Sequence, residues 1–176
     1  SISPDTDLFT MEEMAAAFDL AHVNPNPARF DLAKARAINA AHVRLLAAGE
    51  FAARIVPHLH EAGLVSAPSR EALTDRERAV VDAAAPLVQE RTTVLGEVPA
   101  QLDYLFREVT TEDDAVATLR PDATAILDTS LEALAAVASF DAATLQDVLR
   151  AALVEGLGVK PRFAYGPLRV ALTGRR

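Results

Sequence analysis

The sequence predicts an all-α fold, an antiparallel bundle of about 8–10 helices in two small subdomains. Three observations carry this. Apolar residues recur at three- and four-residue spacing along most of the chain. Thr10 with Glu13, and Thr74 with Glu77, form the hydroxyl-x-x-carboxylate pattern of a helix start. Gly and Pro punctuate the stretches between, and no run sustains the alternation of a half-buried strand.

Residues 1–9 read as irregular, with Pro4 and Asp5. A helix opens after Thr10, with Met11, Met14, Ala15 and Phe18 at helical spacing. Asn24-Pro25-Asn26-Pro27 is a rigid connector, because each proline disfavours the α conformation of the Asn before it. Asp31 caps a helix over residues 32 to 47, with Ala35, Ile38, Val43, Leu45 and Leu46 as its inward stripe and Gly49 as its stop. The next helix spans 50–62, with Phe51, Ile55, Val56 and Leu59 inward, Pro57 kinking it and Gly63 ending it. Residues 64–75 form a loop with a short turn. A helix over 75–96 then carries Val80, Val81, Leu87, Val88, Val94 and Leu95, with Pro86 as a point of division.

Pro99 suits the first turn of a helix that runs through Tyr104, Leu105 and Phe106. The polar, acidic stretch 109–114 marks a subdomain boundary. A short helix over 115–119 and a long one over 121–137 follow. Asp141 caps another through Leu145, Val148, Leu149 and Leu153 to residue 155, and Gly156 and Gly158 end it. A loop over 159–165 leads into a last helix from Pro167.

Composition bounds the chemistry. The chain has 176 residues, enough for one domain or two small ones, and is 51% hydrophobic, enough for a core. It has no Cys, so no disulfide framework, thiolate metal site or Cys nucleophile, which fits a reducing cytoplasm. No apolar run approaches the roughly 20 residues of a membrane span. The opening SISPDTDLFT lacks the basic and apolar regions of a signal peptide, and a first residue other than Met reads as a fragment. The formal charge of −8 argues against a general nucleic-acid coat while leaving room for one local basic face.

His42, His58 and His60 form no HxxxH pair, and His58 and His60 point to different faces of a helix, so they read as solvated or packed side chains. No phosphate-binding Gly loop, HExxH or GxSxG occurs. No catalytic, metal or cofactor residue is expected.

One stretch runs against the acidic background. From Gly158 to Arg176 there are five basic side chains (Lys160, Arg162, Arg169, Arg175 and Arg176) and no acid. Phe163 and Tyr165 lie among them, between Pro161 and Pro167. Basic groups neutralise phosphate, and aromatic and guanidinium planes stack on unpaired bases. The plainer reading is a terminal helix with a solvated basic face.

The run Lys160-Pro161-Arg162, with Gly166-Pro167-Leu168-Arg169-Val170-Ala171-Leu172-Thr173-Gly174, resembles the signature near the C-terminus of bacterial glutamyl-tRNA synthetases. Upstream, Phe9-Thr10-Met11-Glu12-Glu13-Met14, Phe18-Asp19-Leu20, and Val23-Asn24-Pro25-Asn26-Pro27-Ala28-Arg29-Phe30-Asp31 with Lys34 and Asn39 resemble that family's segment just after its catalytic half. The two matches stand in the family's order.

The resemblance implies a helical, tRNA-reading region in three pieces. Residues 1–48 would be the end of the stem-contact region, 49–108 the first helical anticodon-binding subdomain and 109–176 the second. Arg91 aligns with a family arginine that reads the last anticodon letter, and Arg169 with one that contacts the anticodon loop. Lys160 and Arg162 would meet phosphates, and Lys34 the stem. Tyr165 and Phe163 would stack on a base or else pack in the core.

The family's His-Ile-Gly-His-like and Lys-Met-Ser-Lys-Ser-like runs do not occur in this chain. ATP and glutamate chemistry would then belong to a catalytic half outside this chain, leaving it without cofactor or activity of its own. Family members continue past Thr-Gly with further helices, so the chain reads as truncated there. The implied partner is glutamate tRNA, engaged by a cytoplasmic monomer without membrane contact. A second reading is a helical protein-interaction or ligand-sensing domain of a regulator. It explains the acidity and the Ala/Leu richness but leaves both signature runs to chance.

Overall fold

The structure, a computed structural model, describes residues 8–23 and 29–175. The expected Asn24-Pro25-Asn26-Pro27 connector, residues 1–7 of the expected irregular start and Arg176 fall outside the described residues. The all-α expectation is borne out: the described residues hold α-helices, short 3-10 turns and one π-helical stretch, and no strand. The chain divides into two compact units, residues 1–106 and 107–176.

In the first unit, α1 (Met11–Ala17) has its capping box: Thr10 Oγ1 accepts the Glu13 N–H at 3.1 Å and Glu13 Oε2 accepts the Thr10 N–H at 2.7 Å. Its apolar residues nevertheless bury nothing, and Met11 is 72% exposed. Asp31 caps α2 (Leu32–Leu45) by accepting the Lys34 N–H. The buried line of α2 runs through Ala40 and Val43. Leu45, expected inward, lies two residues past Val43, on the other side of the helix, and is exposed.

The expected stop at Gly49 is corrected. Helix α2 ends at Leu45 and α3 (Ala48–Glu61) already contains Gly49 in its first turn. Phe51, Ile55, Val56 and Leu59 of α3 are fully buried, and Gly63 follows with φ +69. Pro57 sits inside α3, where its missing N–H leaves the Ala53 carbonyl without a helical donor; both residues are exposed, so water can serve that carbonyl.

Helix α4 (Asp75–Gln89) starts at the second capping box, in which Thr74 Oγ1 accepts the Glu77 N–H and Glu77 Oε2 the Thr74 N–H. It buries Val81, Ala84, Ala85 and Val88, and Leu87 falls outside that stripe, exposed. It stops seven residues short of the expected end at 96. At that end the buried Gln89 side chain turns its Nε2 to the carbonyls of Val43 and Leu46, at 3.0 and 2.9 Å, satisfying acceptors at the end of α2. A turn replaces the last part of the predicted helix. Helix α5 (Val98–Leu102), with Pro99 in its first turn, closes the core through Val98 and Leu102.

The second unit begins with α6 (Asp113–Ala117) and α7 (Ala123–Ala135), which buries Ala123, Ile126 and Ser130. Asp141 caps α8 (Ala142–Arg150), which continues into a π-helical stretch, Ala151–Gly156. That wider winding puts Leu153 in the centre of this unit's core, with Ile126, Ala164 and Leu168. The expected loop at 159–165 is partly helical, α9 (Pro161–Ala164), because Pro161 opens the first turn with a preset φ and no N–H to leave unpaired. Helix α10 (Gly166–Thr173) ends at Gly174 with φ +73.

Candidate nucleic-acid interface

The site in the second unit is built by α9 and α10. Pro167, Leu168 and Val170 are buried, which leaves Arg169 between them facing out. Tyr165 joins the two helices and is 38% exposed. Arg162, Phe163, Tyr165 and Arg169, together with Arg120, line an open cleft of about 360 Å³. Phe163 is half-buried, with the guanidinium carbons of Arg120 and Arg162 at 4.4 and 4.5 Å from its ring centroid. Cation–π attraction of this kind contributes about 0.5–1 kcal/mol at exposed sites and fixes the plane of the guanidinium.

Lys160 lines an adjoining cleft that shares Arg120 and Phe163 and includes Asp122. Four of the predicted residues, Lys160, Arg162, Tyr165 and Arg169, therefore lie close together on this unit. Arg120 was missed. It comes from the link between α6 and α7, and in sequence its nearest signal is only Asp122, two residues on, which reads as an ordinary surface pair. In the structure Arg120 does bond Asp122, from Nε and from a terminal nitrogen, both at 3.2 Å. That guanidinium holds the Asp122 carboxyl below the usual carboxylate range.

Arg91 and Lys34 belong to the first unit. Arg91 lies in the turn just past α4 rather than within the helix. Its backbone N–H bonds the Val88 carbonyl at 3.1 Å. Thr92, fully buried, donates its hydroxyl to the same carbonyl, and Asn39 Nδ2 donates to the Thr93 carbonyl. The turn is thus pinned on both sides of Arg91. The Arg91 side chain is exposed and donates from Nε to Gln101 Oε1 at 2.9 Å, which leaves the two terminal NH₂ groups outside that bond. Lys34 is exposed in the first turn of α2. Among the described residues no cluster of His, Asp or Glu has the arrangement of a metal site, and no helix is long and apolar enough to cross a membrane.

The second unit thus gathers basic and aromatic side chains at one open cleft. The chain belongs to the anticodon-binding domain family, whose model matches residues 50–176. It is 58% identical, over 99% of its length, to a glutamate–tRNA ligase of Kineococcus radiotolerans. It is 52% identical, over its whole length, to one of Leifsonia xyli subsp. xyli. It spans only about a third of each, 35% and 36%. A crystal structure of a glutamate tRNA ligase from Elizabethkingia meningosepticum in complex with its amino acid shares the fold, with a TM-score of 0.69 at 22% identity, over 95% of this chain and 31% of that one. The regulator reading is not favoured by these findings.

Proposed function

We propose that this chain is the anticodon-reading part of a glutamate–tRNA ligase and that its partner is glutamate tRNA. The observation that carries the reading is the convergence of Arg162, Tyr165 and Arg169 on one open cleft of the second unit. Arg169 meets the anticodon loop there, Arg162 and Lys160 neutralise phosphates, and Tyr165 offers a face for an unpaired base. Arg91, on the first unit, reads the last anticodon letter, and Lys34 contacts the stem. Residues 1–48 act as the end of the stem-contact region, with 49–108 and 109–176 as two anticodon-binding subdomains.

ATP-dependent attachment of glutamate falls to parts of the ligase outside these residues, so this chain binds RNA without a cofactor and without activity of its own. It acts as a monomer in the cytoplasm. The reading is tested by Arg169→Ala. Because Arg169 is exposed, its removal leaves the core intact, and affinity for glutamate tRNA should fall about tenfold, as expected for a lost charged hydrogen bond. Unchanged affinity in a filter-binding or fluorescence titration would remove Arg169 from the site.

A further inference from the structure

Arg120 and Asp122 carry an inference that deepens, and rests on, the anticodon-binding reading. We propose that Arg120 is a phosphate-binding residue of the RNA cleft and that Asp122 is its resident counter-anion, exchanged for an RNA phosphate when the loop binds.

The geometry supports each part. Arg120 lines both clefts, as does Phe163 beneath it. Packing over Phe163 at 4.4 Å fixes its plane and leaves the N–H edge to take an anion. That edge is occupied by both oxygens of Asp122, the same two-pronged arrangement by which arginine holds phosphate. Both bonds are 3.2 Å, long for charge-assisted contacts, and the two side chains are 52% and 36% exposed. An exposed pair of this kind holds weakly and exchanges readily.

Charge points the same way. Arg120, Arg162 and Arg169 share one cleft with no acidic residue in its lining. Three cations brought together repel one another unless an anion enters. Asp122 supplies a single negative charge from the neighbouring cleft. It stands at the N-cap position of α7 without a side-chain capping bond, and besides Arg120 its carboxylate meets only its own backbone N–H.

The test is a fluorescence titration of the whole chain with a hairpin RNA carrying the glutamate anticodon, over a range of salt. Arg120→Gln should weaken binding about tenfold and reduce the steepness of log K against log salt by about 0.7, the value of one single-strand phosphate contact. Asp122→Asn should tighten binding several-fold, and that gain should vanish in the Arg120→Gln, Asp122→Asn double variant. Wild-type affinity and salt slope in Arg120→Gln would overturn the inference while leaving the anticodon reading in place. An equal gain from Asp122→Asn with and without Arg120 would overturn it too, as an effect of net charge alone. If the unaltered chain does not bind the hairpin, the underlying reading fails and the inference with it. Should Arg120→Gln not fold, Asp122→Asn is compared with Asp128→Asn, the same charge change at an exposed site outside both clefts: a gain confined to Asp122→Asn is expected, and no gain or an equal gain from the two contradicts the exchange.

Discussion

Arg91, proposed to read the last anticodon letter, is held in place by its neighbours. Its own side chain is solvent-exposed, but Thr92 beside it is fully buried and Thr93 is tied to Asn39. The turn therefore presents one guanidinium from a fixed backbone. Cytosine offers two acceptors, O2 and N3, on its pairing edge, whereas guanine places N–H donors there; a group that only donates accepts the first and rejects the second. Arg91→Gln adds an acceptor and should relax the preference for cytosine over guanine at the last anticodon position by roughly 1–3 kcal/mol, the scale of a bidentate base contact. Competition binding with the two hairpins measures it, and undiminished preference in the variant contradicts the assignment. At this scale the sequence was informative only where basic and aromatic residues were neighbours in the chain. Lys160, Arg162, Tyr165 and Arg169 fall within one short stretch, so their association could be read directly. Arg120 joins them only through the fold, and no local pattern marks it.

At the scale of the element, helix starts were the most legible feature. A cap is a local contract between residues two or three apart, and Thr10, Asp31, Thr74 and Asp141 each hold the expected backbone N–H. Helix ends were less so, because tertiary contacts set them. The buried Gln89 bonds to α2 and α4 stops there, although the apolar spacing runs on to Leu95. The apolar face of α1 is regular in sequence, yet periodicity cannot say what covers it, and Phe18 is 67% exposed.

The cap at Thr74 also yields a pH prediction. The Glu77 carboxylate accepts from the Thr74 hydroxyl, from the Ser66 hydroxyl and from both backbone N–H groups. These bonds, the Thr74 hydroxyl first, hold its pKa down to about 2 from an ordinary 4.5. A folded-state pKa below the unfolded one stabilises the fold above the unfolded value, so this contribution is complete above pH 4.5 and disappears as pH falls towards 2. Denaturant midpoints measured across that window should fall more steeply for the unaltered chain than for Glu77→Gln, and parallel curves would contradict the coupling.

Two glycines give opposite expectations. Gly174 has φ +73, and a Cβ there would lie 2.2 Å from the Thr110 carbonyl oxygen, a backbone atom that cannot swing away. Its own carbonyl accepts the Glu112 N–H, and Arg175 Nε bonds Glu112 Oε1, so the end of α10 is tied to the start of its unit. Gly174→Ala should destabilise by roughly 2–4 kcal/mol, from strain and overpacking combined. Gly49, inside α3 with nothing within 4 Å, should gain up to about 1 kcal/mol on becoming Ala. Thermal melts of the two variants check both signs.

For the molecule as a whole, the distribution of charge matters more than its sum. A chain of net −8 repels RNA at long range, so binding must come from a local concentration of cations. Each of the two units has its own apolar core, one around Phe51, Ile55 and Leu59 and the other around Ile126, Leu153 and Leu168. The side chains proposed for recognition stand outside these cores, so replacing them should leave the units folded. Most direct is a titration of the chain with a glutamate-anticodon hairpin and with the same hairpin carrying guanine for the last cytosine, each at two salt concentrations. The account predicts tighter binding of the cytosine form and affinity that falls as salt rises. Equal affinity for the two hairpins, insensitive to salt, would contradict anticodon reading by this chain.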